Sequence, residues 1–381
     1  MESRYSIINL NALEYNFSVI KKLIGLRLVM PIIKANAYGH GLGMTAQFFQ
    51  HCKADFLGVA LIEEAVQLRN QGITLPILVL GSIIPEHIPL FLLHDIDIMA
   101  SSVEKLTLIN TCAQTYQKKA RVHLKIDTGL GRVGVRSANA ETFFMAAVRL
   151  PYLSIIGVAS HFATADQEDQ TYMQEQYEKF CQALSFFERY SLPMPIRHIA
   201  NSGAILQYPQ SHLDMVRPGI MLYGVYPHTW MQSLYHLKPV LSLHARIVYF
   251  KVLLAGTGIS YGLTWNTEKN TRIITVPLGY GDGYPRALSN KGEVLLNGNR
   301  YPIVGNICMD QLMVHVGDSS AYNGQEVTFI GTSEKETITI NDIVDHYGGS
   351  PYEFLVTMNN RIQRRYVYNE SEVTYVDVVH T

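Results

Sequence analysis

The spacing of apolar residues predicts a helix near the start of the chain, followed by a buried strand. The apolar positions that recur at helical intervals are Leu13, Phe17, Ile20 and Ile24. Asn11 is the expected N-cap of this helix, and Gly25 lies just past its end. The next run, "LRLVMPIIK", is continuously apolar and too short for most helices, which is typical of a strand covered on both faces in a parallel sheet.

The same alternation of strand-like and helix-like segments continues to about residue 235. Eight runs read as strands: "LRLVMPIIK", "DFLGVA", "PILVLG", "IDIMA", "RVHLKID", "SIIGVASH", "IRHIAN" and "HLDMVRPG". Eight parallel strands joined by helices are what a closed barrel requires. The pattern therefore predicts an α/β fold that begins with a (β/α)8 TIM-type barrel over residues 10–235.

The pattern changes after residue 235, where polar and apolar positions alternate. The run "VLSLHARIVYF" predicts one strand with two unlike faces. In "EVLLNGNRYPIVG", Asn297 and Gly298 separate two strand-like runs, which is a strong hairpin signal. We expect residues 236–381 to form a mostly antiparallel β domain, with residues 1–9 paired to it.

Composition excludes several classes of partner. The chain carries 31 basic and 32 acidic side chains, a net charge of −1, which gives no electrostatic footprint for nucleic acid. The cluster Arg361, Arg364 and Arg365 is most simply a solvated strand or turn. We find no secretory signal, no apolar run long enough to span a membrane, and no metal-site spacing among the four cysteines. These features predict a cytoplasmic location with no bound metal.

Polar residues stand where the apolar strands end, which is where barrel enzymes carry their chemistry. They are Lys34, Lys125, Asp127, His161, Asn201, Ser202 and Arg217. Each alone is compatible with an ordinary strand terminus. Lys34 is the most informative, because an amine that has lost hydration has a lower pKa and can attack a carbonyl to form a Schiff base.

The stretch "KIDTGLGRVG" has the G-x-G-x-x-G spacing of a dinucleotide-binding loop. Such a loop should open a first βαβ unit and be followed by an acidic residue at the end of the next strand. Here the glycines lie in mid-chain, Arg132 occupies the loop, and the following helix-like segment lacks that acidic residue. We therefore reject a nucleotide site.

The octapeptide "KANAYGHG" resembles the pyridoxal-phosphate attachment site of alanine racemases. The resemblance continues in order along the chain through "KIDTGLGRVG", "SHFATAD", "RHIANSGA", "DMVRPGIMLYG", "GTGISYG", "VPLGYGDGY", "GNICMDQLMV" and "PYEFLVTMNNR". Nine ordered matches between residues 34 and 361 are far more specific than any single motif.

The resemblance implies a homodimeric enzyme that interconverts L- and D-alanine with pyridoxal 5'-phosphate as its cofactor. Lys34 would hold the cofactor and act as the base on one face of the substrate. Tyr261, from the β domain of the other subunit, would act on the opposite face. In this family the lysine removes the α-hydrogen of the D-enantiomer and the tyrosine that of the L-enantiomer.

The resemblance also assigns residues around the cofactor and the substrate. Arg217 would face the pyridine nitrogen, His198 would orient Arg217, and His161 would link it to Tyr261. The residues implied for cofactor and phosphate binding are Tyr38, Asn201, Ser202, Tyr352 and the backbone amides of Gly219 and Ile220. Those implied for substrate binding are Arg132, Met309 and Tyr280, with Lys125 expected to be carbamylated and to orient Arg132.

One departure from the family pattern affects the predicted substrate. The family often has an arginine before "ICMD", where this chain has Asn306, whereas Asp166, Tyr280 and Arg286 match the expected entrance corridor. An amide attracts carboxylates less strongly than a cation, so a racemase of serine or of several amino acids is the nearest alternative. A decarboxylase is less favoured because "GISYG" is retained. A non-catalytic pyridoxal-phosphate-binding protein is the alternative from a different class.

Overall fold

The structure, a computed structural model, describes residues 3–374, so residues 1–2 and 375–381 of the expected domains lie outside it. Strand β1 (Arg4–Asn9) leads directly into a helix, Leu10–Ile24. The N-cap is Asn9, whose side chain accepts a hydrogen bond from the amide of Ala12 at 3.0 Å. The prediction of Asn11 is therefore wrong by two residues, because the extended backbone already ends at Asn9. Gly25 ends the helix as expected.

Eight parallel strands form the N-terminal sheet, and a short strand, β7, pairs with the end of β6. Their ranges are β2 (Leu28–Val29), β3 (Leu57–Val59), β4 (Ile77–Val79), β5 (Asp97–Ala100), β6 (Ala120–Asp127), β7 (Val135–Arg136), β8 (Leu153–Ala159), β9 (Ile196–His198) and β10 (Met215–Val216). The ring of strands closes on both sides of β2. The backbone amide of Met30, which follows β2, donates to the carbonyl of Val216 in β10, and the amide of Gly58 in β3 donates to the carbonyl of Pro31. The predicted eight-stranded barrel is confirmed.

Helices cover the outside of this barrel. The α-helices are Leu42–His51, Ile62–Asn70, Ile88–Leu93, Val103–Thr115, Ala140–Val148, Thr171–Arg189 and Ser202–Gln207, with 3-10 turns at Pro85–His87, Ser137–Asn139, Pro209–His212, Ile220–Tyr223 and Thr229–Ser233. Between residues 3 and 374, no helix combines the length and the apolar character needed to cross a membrane.

The second half of the chain forms a large sheet. Its strands and the two small hairpin strands are β11 (Leu241–Arg246), β12 (Tyr249–Leu253), β13 (Gly258–Ile259), β14 (Trp265–Asn266), β15 (Thr271–Val276), β16 (Glu293–Leu296), β17 (Asn299–Val304), β18 (Leu312–Gly317), β19 (Glu326–Ser333), β20 (Glu336–Ile338), β21 (Gln363–Tyr368) and β22 (Ser371–Val373). The helical segments here are Tyr261–Leu263, Tyr280–Asp282, Arg286–Leu288, Ile340–Asp345 and Pro351–Thr357.

The order across this sheet is β12-β15-β18-β17-β16-β19-β11-β1-β21-β22, with β20 beside β19. Strand β1 lies inside it, antiparallel to β11 and parallel to β21. The other pairs are antiparallel. The predicted mostly antiparallel sheet is therefore confirmed, and the N-terminal segment crosses over to it before the barrel begins.

Two local predictions for this region had different outcomes. The hairpin at Asn297 and Gly298 is confirmed, with φ angles of 48° and 70° that match the left-handed turn such a pair favours. The prediction of a single strand over "VLSLHARIVYF" is wrong, because strand β11 ends at Arg246 and a separate strand, β12, begins at Tyr249. Val248 then donates to Thr275 of β15 instead of pairing with β19, and Tyr249 becomes 54% exposed.

Candidate active site

A cavity of about 700 Å³ opens at the carboxyl ends of the barrel strands. The predicted site residues that line it are Lys34, Tyr38, Lys125, Arg132, His161, Asp166, Asn201, Ser202, Arg217, Gly219, Ile220 and Tyr352. The lining contains four lysine or arginine side chains against two carboxylates, Asp166 and Glu353. This excess of positive charge suits an anionic ligand.

Lys34 begins a single turn of left-handed helix. The φ angles of Ala35, Asn36, Ala37 and Tyr38 lie between 51° and 56°, and Gly39 follows at 80°. Because a left-handed conformation costs an L-residue roughly 1–2 kcal/mol, four in succession require strong support from their surroundings. Strain of this kind is concentrated at functional sites.

Three side chains from other elements supply part of that support. The carboxylate of Glu64 accepts from the amide of Ala35 at 2.6 Å. From the β domain, the Nε of Arg364 donates to the carbonyl of Gly39 at 2.6 Å, and the hydroxyl of Tyr366 donates to the carbonyl of His40 at 3.0 Å.

These contacts correct one sequence interpretation. Arg364 does lie on a strand, β21, but its guanidinium is partly buried against the lysine turn rather than solvated, and burial lowers its pKa. Arg361, by contrast, is exposed and pairs with Asp310.

The two lysines of the cavity are displaced toward their neutral forms. Burial lowers the pKa of Lys34, and the nearby charge of Arg132 lowers it further while Glu64 opposes the change. Burial, the main cause, and the charge of Arg217 lower the pKa of Lys125 to about 7. Both amines therefore have a larger nucleophilic fraction near neutral pH than an ordinary lysine.

Arg217 lies at the floor of the cavity and is only 4% exposed. Its guanidinium donates to the carbonyls of Ser160, His198 and Ile199 at 2.7, 2.8 and 3.1 Å. It also donates to Nδ1 of His198 at 2.8 Å and to Nδ1 of His161 at 3.1 Å. A guanidinium has no acceptor, so both imidazoles receive a hydrogen bond at Nδ1 and carry their proton on Nε2.

The electrostatics agree with this protonation pattern. Burial and the charge of Arg217 hold the pKa of His161 and of His198 well below the ordinary histidine value, so both rings are neutral. His198 lies behind Arg217 and does not line the cavity, whereas His161 does.

Ser202, Gly219 and Tyr38 form a polar cradle at another wall. The hydroxyl of Ser202 accepts from the amides of Gly219 at 2.9 Å and Met221 at 3.4 Å, so its own hydrogen is free to be donated. A Cβ on Gly219 would lie 2.7 Å from the hydroxyl of Tyr38 and 3.8 Å from Oγ of Ser202, so glycine keeps this space open. Burial raises the pKa of Tyr38 to about 12, which keeps it a hydrogen-bond donor.

Asn201 has a structural contact of its own. Its side chain caps the helix Ser202–Gln207 by accepting from the amide of Ala204 at 3.2 Å.

The remaining predicted residues form a separate cluster on the β domain. Tyr261, Tyr280 and Met309 are 74%, 43% and 53% exposed, and none of them lines the cavity of its own chain. Backbone hydrogen bonds join the segments of Tyr280 and Met309. The amide of Tyr280 donates to the carbonyl of Cys308, and the amide of Gly281 donates to the carbonyl of Met309. Arg286 is also exposed and outside the cavity.

Asn306 belongs to this second cluster. The side-chain amide of Asn306 donates to the backbone carbonyl of Tyr261 at 2.6 Å, and the backbone carbonyl of Asn306 accepts from the hydroxyl of Ser260 at 2.5 Å. Asn306 is therefore bound to the turn that carries Tyr261, which its place in the sequence did not predict.

Comparison with known proteins places this chain in a family. A model of the N-terminal domain of alanine racemase matches residues 8–227, and a model of the C-terminal domain matches residues 240–366. The chain belongs to the alanine racemase family. The resemblance noted in the sequence is thus confirmed.

Individual relatives agree over nearly the whole length of the chain. The alanine racemase of Halothermothrix orenii is 40% identical over 94% of this chain and 95% of its own. A solved alanine racemase of Clostridium difficile 630 superimposes with a TM-score of 0.93 at 35% identity, covering 98% of both chains. A histidine racemase from Leuconostoc mesenteroides subsp. sake has a TM-score of 0.88 at 29% identity, covering 96% and 98%.

Proposed function

We propose that this protein interconverts L- and D-alanine by a two-base mechanism with pyridoxal 5'-phosphate as cofactor. The observation that carries the proposal is the joint placement of Lys34, Arg132, His161 and Arg217 in one cationic cavity. Family membership over nearly the whole chain supports the same conclusion.

The residues present fit this cofactor. Lys34 has the burial expected of an amine that forms a Schiff base, and Arg217 would face the pyridine nitrogen. The space that Gly219 leaves between Tyr38 and Ser202 would hold the phosphate, with Tyr352, Asn201 and the amide of Ile220 beside it. When bound, the cofactor supplies an electron sink for the substrate α-carbon.

The protein's own groups move the proton. Lys34 would take or return the α-hydrogen on one face, acting on the D-enantiomer. Tyr261 of a second copy of this chain would act on the other face, on the L-enantiomer. Because Nδ1 of His161 accepts from Arg217, its Nε2 proton is available to stabilise the phenolate of Tyr261.

Arg217 also restrains the side reactions of the site. A guanidinium donates a hydrogen bond but does not protonate the pyridine nitrogen, and the pKa of Arg217, lowered by burial and by Arg132 to about 10, keeps it charged at neutral pH. A weaker electron sink favours return of the proton to the α-carbon, which suits racemisation.

Arg132 would bind the substrate carboxylate. It lines the cavity, and within residues 3–374 its guanidinium forms no hydrogen bond or ion pair, so its donors are available. Met309 and Tyr280 would complete the substrate site from the second copy. We propose that Lys125 is carbamylated, which turns a neighbouring cation into an anion able to orient Arg132.

The separation of the two clusters supports the proposal of a homodimer. The cavity contains Lys34, whereas the second predicted base, Tyr261, is exposed together with Leu263 of the same turn, which is 62% exposed. Large apolar side chains exposed together are typical of contact surfaces. A second copy that buries them would bring Tyr261 to the cavity.

The experiment that tests this function is isotope exchange. Purified protein loaded with pyridoxal phosphate is incubated in deuterated water with L-alanine, L-serine and other L-amino acids, and the D-enantiomer and α-deuterium are measured. Deuterated D-alanine in excess over D-serine supports the proposal. Equal rates for several amino acids would favour a broad-specificity racemase, and binding of cofactor without exchange would favour a non-catalytic carrier.

A supply of D-alanine for peptidoglycan and a cytoplasmic location remain predictions. They follow from the family expectation and from the sequence, and a D-alanine requirement after deletion of the coding sequence would test the first.

A further inference from the structure

We propose that Asp97 and His123 are positioning residues that fix the Arg217 guanidinium through His198. Both side chains are fully buried inside the barrel, and neither lines the cavity. The proposal rests on the proposed function only for the role of Arg217. The geometry itself stands on the hydrogen bonds of these residues.

The four side chains form an unbroken chain of hydrogen bonds. Nη1 of Arg217 lies 2.8 Å from Nδ1 of His198. Nε2 of His198 lies 2.9 Å from Nδ1 of His123, and Nε2 of His123 lies 3.2 Å from Oδ2 of Asp97. At the other end of the chain, the guanidinium of Arg121 donates two hydrogen bonds to the carboxylate of Asp97, at 2.6 and 3.1 Å.

The direction of every bond in this chain is determined at its two ends. Arg217 can only donate, so His198 accepts at Nδ1 and must hold its proton on Nε2. His198 then donates to Nδ1 of His123, which leaves the proton of His123 on Nε2, directed at the carboxylate of Asp97. An ionised carboxylate can only accept, so both ends require the same arrangement of protons.

The charge states agree with that arrangement. Burial raises the pKa of Asp97, but hydrogen bonds from His123 and Arg121 outweigh it and lower the pKa overall, so the carboxylate is ionised. Burial lowers the pKa of His123 despite the opposing effect of Asp97. Both imidazoles are therefore neutral relays between a cation and an anion.

Arg217 needs such an anchor because it has no direct counter-ion. Among the described residues, its guanidinium contacts three carbonyls and two imidazoles but no carboxylate. A buried cation is tolerated only where its surroundings are polar and well oriented. Asp97 is the anion to which this hydrogen-bond chain leads.

The barrel also makes room for this relay, the chain of hydrogen bonds from Arg217 through His198 and His123 to Asp97. A Cβ on Gly157 would lie 2.4 Å from Nδ1 of His123, so a glycine on the adjacent strand is required for the imidazole to fit. The His123 ring meets His198 nearly edge-on, with centroids 5.0 Å apart and planes at 81°. These contacts hold the two rings in the orientation that the hydrogen bonds need.

The test uses three variants of the cofactor-loaded protein and one control. Asp97→Asn keeps an acceptor and removes the charge, Asp97→Ala removes both, and His123→Phe keeps a ring and removes the relay. Asp55→Asn is the control, because Asp55 is another hydrogen-bonded carboxylate of the barrel, which accepts from the backbone amide of Val29, but it has no hydrogen bond to the relay.

The first readout is the tautomer of each histidine, measured by NMR on protein labelled with ¹⁵N-histidine. In the unaltered protein we expect His123 and His198 each to show one neutral form with the proton on Nε2. In Asp97→Ala we expect the ¹⁵Nε2 resonance of His123 to shift and broaden, because its proton no longer has a carboxylate acceptor, and the Nδ1 resonance of His198 to shift as its hydrogen bond from Arg217 weakens. Unchanged resonances of both rings in that variant would overturn the proposal.

The second readout is the split between kcat and KM for alanine. We expect Asp97→Ala and His123→Phe to lower kcat by about tenfold or more while KM changes by less than about threefold, since a displaced Arg217 affects the reacting atoms rather than substrate binding. Asp97→Asn should recover most of kcat. A kcat within about twofold of the unaltered protein for His123→Phe would refute the relay even if Asp97→Ala did not fold.

The two readouts separate this proposal from the proposed function. If the protein racemises no amino acid but its histidines respond as described, the function fails and the relay stands. If racemisation by the unaltered protein is normal and the histidine resonances do not respond in Asp97→Ala, the relay fails and the function stands.

Discussion

Lys125 shows how far a single residue can be altered by its surroundings. Its amine lies beside Arg217 and Arg132, and burial together with these charges lowers its pKa to about 7. Only the neutral amine attacks carbon dioxide, and its population rises as the pH increases through that value. A lysine on the surface would be almost fully protonated at the same pH.

Carbamylation of Lys125 is therefore expected above pH 7 and should decline below it. With ¹³C-labelled carbon dioxide, ¹³C NMR should detect a carbamate signal that weakens as the pH falls from about 8 to about 6. Lys125→Arg is the control, because a guanidinium stays protonated and forms no carbamate. A labelled protein without this signal at pH 8 would contradict the prediction.

The sequence predicted the residues that line the cavity better than the buried residues behind it, Asp97 and His123. Lys34, His161 and Arg217 stand where apolar strands end, a position that can be read from one chain. Asp97 and His123 lie within strands β5 and β6, and a buried polar residue in a strand does not indicate its partner. Their connection depends on the order of strands around the barrel, which brings together residues separated by 26 positions or more.

The left-handed turn at Lys34 is the element on which the proposed cofactor attachment would depend. It ends at Gly39, where a Cβ would lie 2.1 Å from the carbonyl of Leu355. Gly72 has nearly the same φ, 81° against 80°, but nothing within 4 Å of its Cβ position. Substitutions at these two glycines therefore separate the free-energy cost of backbone strain from the cost of a steric clash with Leu355.

Gly72→Ala should lower the free energy of unfolding by about 1 kcal/mol, the price of the left-handed conformation alone. Gly39→Ala should cost about 3 kcal/mol or more and weaken the visible absorption of bound cofactor, since the turn must shift away from Leu355. Denaturant unfolding and absorption spectra measure both effects. Equal losses in the two variants would show that the collision does not matter.

The turn that carries Tyr261 is also strained. Ser260 and Leu263 have φ angles of 62° and 47°, and Gly262 between them has a φ of 75°, which glycine adopts without a steric cost. The hydrogen bond from Asn306 to the carbonyl of Tyr261 contributes about 1 kcal/mol, which is comparable to the strain of one such residue. Loss of that bond should loosen the turn.

Asn306→Ala should therefore slow the step at the tyrosine face more than the step at the lysine face. In deuterated water, D-alanine should still exchange its α-hydrogen without inversion, while formation of D-alanine from L-alanine falls about threefold or more. Asn299→Ala is a matched control, since Asn299 also donates to a backbone carbonyl, that of Asn297, in a hairpin of the same domain. Equal losses in the two exchange reactions would argue against a local effect.

Elements were predicted from the sequence where the local signal was complete. The hairpin at Asn297 and Gly298 needed only two residues with positive φ and was found. The break between β11 and β12 could not be predicted, because alternation continues across it and only the change of partner strand separates the two. The left-handed turn was also missed, because Ala35 and Ala37 have no intrinsic preference for that conformation.

At the scale of the whole molecule, one chain contains both halves of the proposed active site without joining them. The β domain already supports the barrel of its own chain, because Arg364 and Tyr366 hold the lysine turn. The same domain exposes Tyr261, Tyr280 and Met309 on another surface. In the proposed dimer, the β domain would support the cavity of its own chain with one surface and contribute Tyr261 to the cavity of the second copy with another, so activity would depend on dimerisation.

The most direct measurement of this account is complementation between two inactive variants. Lys34→Ala and Tyr261→Phe are unfolded together, refolded as a mixture, and assayed for racemisation. If the site is shared, each heterodimer contains one site with both bases intact, and about a quarter of all sites become active. If mixing restores no activity although heterodimers form, Lys34 and Tyr261 do not act across two chains and the account is wrong.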